Sequence, residues 1–303
     1  MTDILFTIIV AAALALFWVM LYDTNRFVVR NHTVTDPRIR RACRAVLLTD
    51  LHNKCYGKGN ERLLAAIHGQ KPDFILIAGD VLTANTKAPL EPALRLLENL
   101  AREYPVYYAN GNHEQRLRIS PRRYGKMAKQ YRKGLKRIGI EPMLNSHVNL
   151  PEYGLAIYGA EIDMEYYKRF RLKEMAPDYL PRILGQAPAD ACTVLLAHNP
   201  DYFPQYAAWG ADLTLSGHVH GGVARVPFWG KGVLSPAWHF FPKYDGGVFK
   251  EGDSVMVLSR GLGSHTIPVR VFNPGELWVL DFLPGETKSG GTDVLLEKPK
   301  TKR

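Results

Sequence analysis

Apolar residues fall mostly in short uninterrupted runs that break into polar or glycine-bearing segments. "RAVLLTD", "DFILIAGD", "VYYANGN", "LAIYGAE", "TVLLAHN", "LTLSGH", "VMVLSRG" and "LWVLDF" all follow this pattern. Runs of this length bounded by turn signals predict buried strands. Helix-patterned segments lie between several of them, at 60–70, 90–103, 121–138 and 201–208. Strand–helix alternation that gives way to closely spaced strands predicts a layered α/β domain with sheet packed on sheet.

One run departs from this pattern. Residues 4–22, "ILFTIIVAAALALFWVMLY", carry no charge; at roughly 1.5 Å per residue a helix of that length measures about 28 Å, which crosses a bilayer core. A cleaved signal peptide would carry a basic segment first, and only Met1, Thr2 and Asp3 precede this run. A buried core helix would show a polar face, and here there is only Thr7 with the rims of Trp18 and Tyr22. A single membrane anchor fits best, with Trp18 and Tyr22 placed for the interface.

Arg26, Arg30, Arg38, Arg40, Arg41 and Arg44 follow the run and no Lys or Arg precedes it, so the positive-inside rule places the large C-terminal portion in the cytoplasm. The expected organisation is an anchor at 1–22, a basic linker at 23–44, one domain at 45–284 and a flexible polar tail at 285–303. With 303 residues, 46% of them hydrophobic, the chain can bury a sizeable core. Cys43, Cys55 and Cys192 are odd in number and lack paired spacing, so no disulfide framework is expected.

The strand-like runs share one property that composition does not require. They end in Asp50-Leu51-His52, Gly79-Asp80, Gly111-Asn112-His113-Glu114, His198-Asn199 and Gly217-His218-Val219-His220. Taken singly, each is an ordinary turn or cap. Together they place oxygen and imidazole ligands, and no cysteine, at the sheet ends where open α/β folds put their chemistry. A metal site is the expectation.

In that order, "DLH", "GD", "GNHE", "AHN" and "GHVH" resemble the signature of the calcineurin-like metallophosphoesterases. The resemblance runs from about Val46 to Phe282. "SRGLG" and "PVRVFNPGEL" are similar to a bacterial membrane-associated phosphodiesterase branch that includes UDP-diacylglucosamine pyrophosphohydrolase-like enzymes. It implies a four-layer ββ sandwich flanked by helices and two divalent metal ions, manganese favoured, with iron or zinc compatible with the same donors. One ion would take Asp50, His52, Asp80 and His220; the other would take Asp80, Asn112, His198 and His218. Asp80 would bridge them, and His113 would protonate the leaving oxygen. The sequence departs from the commoner "GHTHGGQ" form at Val219 and Val223, which touches substrate contacts rather than ligands.

Of the net charge of +10, residues 115–140 carry ten bases and no acid: Arg116, Arg118, Arg122, Arg123, Lys126, Lys129, Arg132, Lys133, Lys136 and Arg137. A solvated helix face, a nucleic-acid contact and an anionic bilayer surface all compete for this segment. The upstream anchor favours the bilayer over the other two. Residues 164–175 and the aromatic-rich residues 226–247, with Phe228, Trp229, Trp238, His239, Phe240 and Phe241, line a pocket, dip into lipid or simply pack as loops. The expected function is a membrane-anchored dinuclear-metal phosphohydrolase acting on a phosphodiester or pyrophosphate of a lipid-linked or nucleotide-bearing substrate. The alternatives are a soluble-substrate nucleotide phosphodiesterase or nuclease and a non-catalytic metal-dependent scaffold. No protein partner is inferable.

Overall fold

The computed structural model describes residues 2–168, 172–222, 224–234, 240–264 and 268–286. Two sheets form its centre. The first holds β1 (Phe27–Asp36), β11 (Gly275–Pro284), β2 (Cys43–Leu48), β3 (Phe74–Ala78) and β4 (Val106–Ala109), in that spatial order. The second holds β5 (Ser146–Leu150), β6 (Leu155–Ala160), β7 (Cys192–Ala197), β8 (Leu213–Ser216), β10 (Ser254–Leu258) and β9 (Gly247–Glu251). Strands β2, β3 and β4 pair in parallel, as do β6, β7, β8 and β10.

The two-residue period of a strand explains the four layers. Ala45, Leu47, Phe74 and Leu76 face the other sheet and meet Leu155, Ile157, Val194, Leu196, Leu213 and Leu215 in one core. Val46, Leu48, Ile75 and Ile77 point the opposite way, into a core shared with α2 (Glu61–Gln70), α3 (Glu91–Glu103) and α5 (Pro121–Ile138). On the far side, Ala156, Tyr158, Leu195 and Ala197 pack under α6 (Tyr179–Leu184) and α7 (Phe203–Trp209). Burial on both faces is why the central strands read as continuous apolar runs.

The basic stretch after the first helix is not a linker along its whole length. Residues 27–36 form β1, which pairs in parallel with β11 over ten residues. Its polar side chains stay outward because β1 is an edge strand, and that alternation hid it. The 115–140 segment divides into α4 (Asn112–Ile119) and α5. Helix α5 buries Tyr124, Met127, Tyr131 and Leu135 and turns its bases to solvent. From residue 287 onward the expected tail lies outside the described residues, as do Val223, Trp238 and His239.

Helix α1 (Thr2–Thr24) is long and apolar enough to cross a bilayer, a property that a signal sequence shares. Its last turn is tied to the domain. Asp23 is 2% exposed and accepts the Asn273 amide at 3.0 Å. Asp23→Ala would leave that buried amide unsatisfied, so the chain should lose about 1–3 kcal/mol of stability. Chemical denaturation of the full chain reads this loss.

Candidate metal centre

The seven predicted ligands converge at one end of the sandwich. Asp50 and His52 follow β2, Asp80 follows β3, Asn112 opens α4 after β4, His198 follows β7, and His218 and His220 follow β8. Because these strands run in parallel within each sheet, their C-terminal ends share an edge, and the two edges meet.

Their donor atoms form overlapping groups. Asp50, His52 and His220 place ligand atoms within 4.8 Å of one another, as do Asp80, His198 and His218. Asp80 also groups with His52 and His113, so it touches both halves of the site. His198 Nε2 is 3.0 Å from Asp80 Oδ2 and 3.7 Å from Asp50 Oδ1. His220 Nε2 stands 3.5 Å from Asp50 Oδ1 and 3.3 Å from His52 Nε2.

The backbone is strained where the candidate ligands sit. Asp50, His52, Asp80, His218 and His220 all take positive φ, between 48° and 71°. Such a conformation costs of order 1–3 kcal/mol at a non-glycine residue and concentrates at functional sites. Two glycines make room for the carboxylates. A methyl group on Gly217 would collide with Asp50, and one on Gly111 with Asp80. Gly217→Ala should therefore lower bound metal and turnover while leaving far-ultraviolet circular dichroism intact. Metal analysis beside a spectrum checks it.

The tautomers suit cation binding. His198 donates from Nδ1 to the Ala78 carbonyl at 2.7 Å, which leaves Nε2 as the nitrogen facing the carboxylates. His220 Nδ1 lies 3.3 Å from the Gly263 carbonyl and His52 Nδ1 3.2 Å from Thr83 Oγ1. Among the described residues the buried Asn112 Oδ1 has no hydrogen-bond partner, a cost that a cation would remove.

The electrostatics point the same way. Burial pushes the Asp50 carboxyl up to about 6, with His198 opposing and Asp80 adding to the rise. Burial would also raise Asp80, but the imidazoles of His198, His113 and His52 outweigh it and hold that carboxyl well below the usual range. Burial opposes the charged form of His198, yet Asp80 and Asp50 carry it up to about 10. Two buried carboxylates facing imidazoles demand positive charge. Donors of nitrogen and oxygen, without sulfur, fit borderline divalent ions.

His113 is buried beside this group. Its backbone amide donates to Asp80 Oδ1 at 2.8 Å, and its Nδ1 accepts the Ala84 amide at 2.8 Å. The ring proton therefore sits on Nε2. The ring meets His52 edge-on, with centroids 4.9 Å apart.

Three supporting residues were not singled out by the sequence reading. Glu114 accepts the amides of Asp80 at 2.9 Å, Gly111 at 2.9 Å and Leu82 at 3.2 Å, and so locks together the loops after β3 and β4. Burial and the Asp80 charge push its carboxyl up to about 7. The buried Arg270 guanidinium donates to the carbonyls of Arg260, Gly261, Gly263 and Asn273, and it shapes the loop whose Gly263 amide reaches the Asp50 carbonyl at 2.6 Å. Asn273 donates from Nδ2 to the His220 carbonyl at 2.8 Å. "GNHE" was the signal for Glu114 and "PVRVFNPGEL" for Arg270 and Asn273. Val219 packs with Phe203, Tyr244, Met256 and Leu258, in a small core of its own.

Another acidic group, Asp36, Cys192 and Asp212, has a different filling. Arg38 Nη2 lies 2.6 Å from Asp36 and 2.7 Å from Asp212, so a guanidinium already satisfies it.

A family model described as calcineurin-like phosphoesterase matches residues 43–222. A metallophosphoesterase of Campylobacter jejuni, uncharacterized, is 27% identical over 84% of this chain and 62% of its own length. An uncharacterized metallophosphoesterase of Helicobacter pylori is 26% identical over 90% of this chain and 69% of its own. Phosphodiesterase YaeI of Escherichia coli is 27% identical over 64% of this chain and 65% of its own. The chain thus spans less than two thirds of the Campylobacter relative's length. A solved phosphoesterase of Escherichia coli, Yfce, aligns with a TM-score of 0.32 at 12% identity, over 71% of this chain and 78% of its own.

Proposed function

Because the chain belongs to the calcineurin-like phosphoesterase family, we propose that it is a membrane-anchored, metal-dependent phosphohydrolase that cleaves a phosphodiester or pyrophosphate bond. The observation that carries this reading is the pair of donor groups sharing Asp80. Asp50, His52, Asp80 and His220 would hold one divalent ion, and Asp80, Asn112, His198 and His218 the other, with manganese favoured. When bound, such a pair supplies Lewis acidity that neutralises phosphoryl charge and activates water.

The chain's own residues do the rest. Asp80, fixed by the His113 amide, holds the two halves of the site at one spacing. Glu114 keeps the loops that carry Asp80 and Asn112 from separating. His113 presents Nε2–H to the leaving oxygen as the bond to phosphorus breaks. Tyr167 stands edge-on to His218, centroids 5.2 Å apart, and walls one side of the site.

The proposed substrate is lipid-linked or nucleotide-bearing, and the proposed partner surface is an anionic leaflet. Two features support this: the apolar α1 and the exposed bases of α5, each worth on the order of 1 kcal/mol near such a surface. The proposed setting is a single-pass protein with its catalytic domain in the cytoplasm. Replacing Arg122, Arg123, Arg132 and Lys133 by Gln should reduce hydrolysis of a vesicle-embedded substrate far more than that of a small soluble diester. Equal loss on both would assign the segment to folding or to direct phosphate binding, and no loss on either together with cleavage of single-stranded nucleic acid would favour a nuclease. Hydrolysis screened across nucleotide-lipids, phospholipids and simple diesters, with and without a chelator, tests the whole reading.

A further inference from the structure

Helix α1 ends against the metal centre. Beyond the Asp23 contact, Thr24 Oγ1 accepts the Arg270 amide at 3.0 Å. Asn273, whose amide Asp23 accepts, is the residue that holds the His220 carbonyl. Two hydrogen bonds thus join the end of the apolar helix to a proposed metal ligand. Lys54, two residues after His52, donates to Asn25 Oδ1 at 3.0 Å, a second tie between helix exit and site.

The same loop carries a hairpin. Val271 bridges Ala224 and accepts the Arg225 amide at 3.0 Å. Arg225 is buried and donates to the carbonyls of Gly221 at 3.1 Å, Asp245 at 2.6 Å, and Gly230. The hairpin base is therefore fixed beside the His218–His220 loop. Its tip is bare, with Phe228 fully exposed and Trp229 68% exposed, and beside the hairpin Phe240, bridged to Leu234, is 71% exposed. Trp229 meets Phe241, centroids 5.7 Å apart, instead of the core. Phe228 lies four residues from Ala224, so at about 3.3 Å per residue the tip reaches no more than roughly 13 Å from the bridge that abuts the helix exit.

A cluster of exposed large aromatics marks a contact surface. Here the helix exit brings the bilayer within reach of that cluster, and Trp and Phe are residues of the membrane interface. We propose that Phe228, Trp229, Phe240 and Phe241 form a second membrane contact, seated in the headgroup boundary of the leaflet at which α1 ends. The metal centre is then held between two membrane attachments, and the phosphoester it meets belongs to a lipid headgroup at the bilayer surface. This rests on α1 being the anchor and on the site being a phosphohydrolase.

The test uses the full chain in vesicles of phosphatidylcholine and phosphatidylglycerol. Cys43 and Cys192 are buried, so Phe228→Cys in a Cys55→Ser background takes a polarity-sensitive fluorophore at one place. Asp190→Cys, exposed before β7 at the opposite end of the sheet, is the reference. On reconstitution the label at 228 should shift to the blue, lose iodide quenching several-fold and gain quenching from headgroup-depth nitroxide lipids, as expected for burial by about 5–10 Å. The label at 190 should not change. Equal iodide quenching at both positions overturns the proposal. Failure of the chain to co-sediment with vesicles overturns the anchor and the contact together. Wild-type hydrolysis of bis-p-nitrophenyl phosphate with manganese is measured separately. Hydrolysis with a water-exposed label sinks the membrane contact alone, and a protected label without hydrolysis sinks the phosphohydrolase reading.

Discussion

Asp80→Ala is expected to abolish hydrolysis and to lower bound metal at both positions. The reason is geometric: Asp80 is the residue whose donor atoms group with His52 and His113 on one side and with His198 and His218 on the other. Its loss would remove a proposed ligand from each half, along with the carboxylate that the His113 backbone amide holds in place. Metal ions supply several kcal/mol of transition-state charge stabilisation. At about 1.36 kcal/mol per tenfold, turnover should fall by roughly 10⁴-fold or more. The sandwich core does not depend on this side chain, so the variant should still fold. A variant with unchanged metal content and full activity would refute the bridging role.

His113→Ala should behave differently. His113 does not hold an ion in the proposed set, and its backbone amide bond to Asp80 survives the substitution. Bound metal should therefore stay at the wild-type level. What disappears is Nε2–H, whose position is set by the Ala84 amide on the opposite nitrogen. Loss of such a donor at the leaving oxygen slows turnover by roughly 10²–10⁴-fold. The loss should be larger for an alkyl ester than for a nitrophenyl ester, because a poor leaving group needs that proton more. Equal losses on both esters, or loss of metal, would assign His113 to positioning Asp80.

The central strands were legible in the sequence because each is buried on both faces. β2, β3, β6, β7, β8, β10 and β11 coincide with the apolar runs, with β2, β7 and β10 starting one residue earlier and β11 running two residues past each end. β4 is an edge strand, yet it was legible because Val106 and Tyr108 pack into one core and Tyr107 and Ala109 into the other. β1, β5 and β9 were not legible, and all three are edge strands. With one neighbour and one wet face, "FVVRNHTVTD", "SHVNL" and "GVFKE" carry polar residues that read as loop. For β1 this turned a strand into part of an expected linker. The helix patterns at 60–70, 90–103 and 121–138 were visible through their spacing and match α2, α3 and α5.

The site divides along similar lines. Seven ligand candidates could be picked out because each stands at a strand end, and the structure groups the donor atoms of Asp50, His52, Asp80, His198, His218 and His220, with Asn112 following β4. Glu114 and Arg270 were missed because their partners are backbone amides and carbonyls of distant segments, which side-chain patterns do not encode. The positive φ values at five of those seven residues were equally invisible, since Asp and His at a turn look ordinary in sequence.

The most direct test of the dinuclear reading is metal content measured together with hydrolysis on the purified full-length chain. Manganese is loaded, excess ion is removed, and the ion-to-chain ratio is compared between the wild type and Asp80→Ala. Two ions per wild-type chain are expected, with diester hydrolysis that a chelator stops and manganese restores, and both should fail in the variant. A wild-type chain that hydrolyses the diester at full rate after chelation, or that binds no divalent ion, would contradict the dinuclear reading.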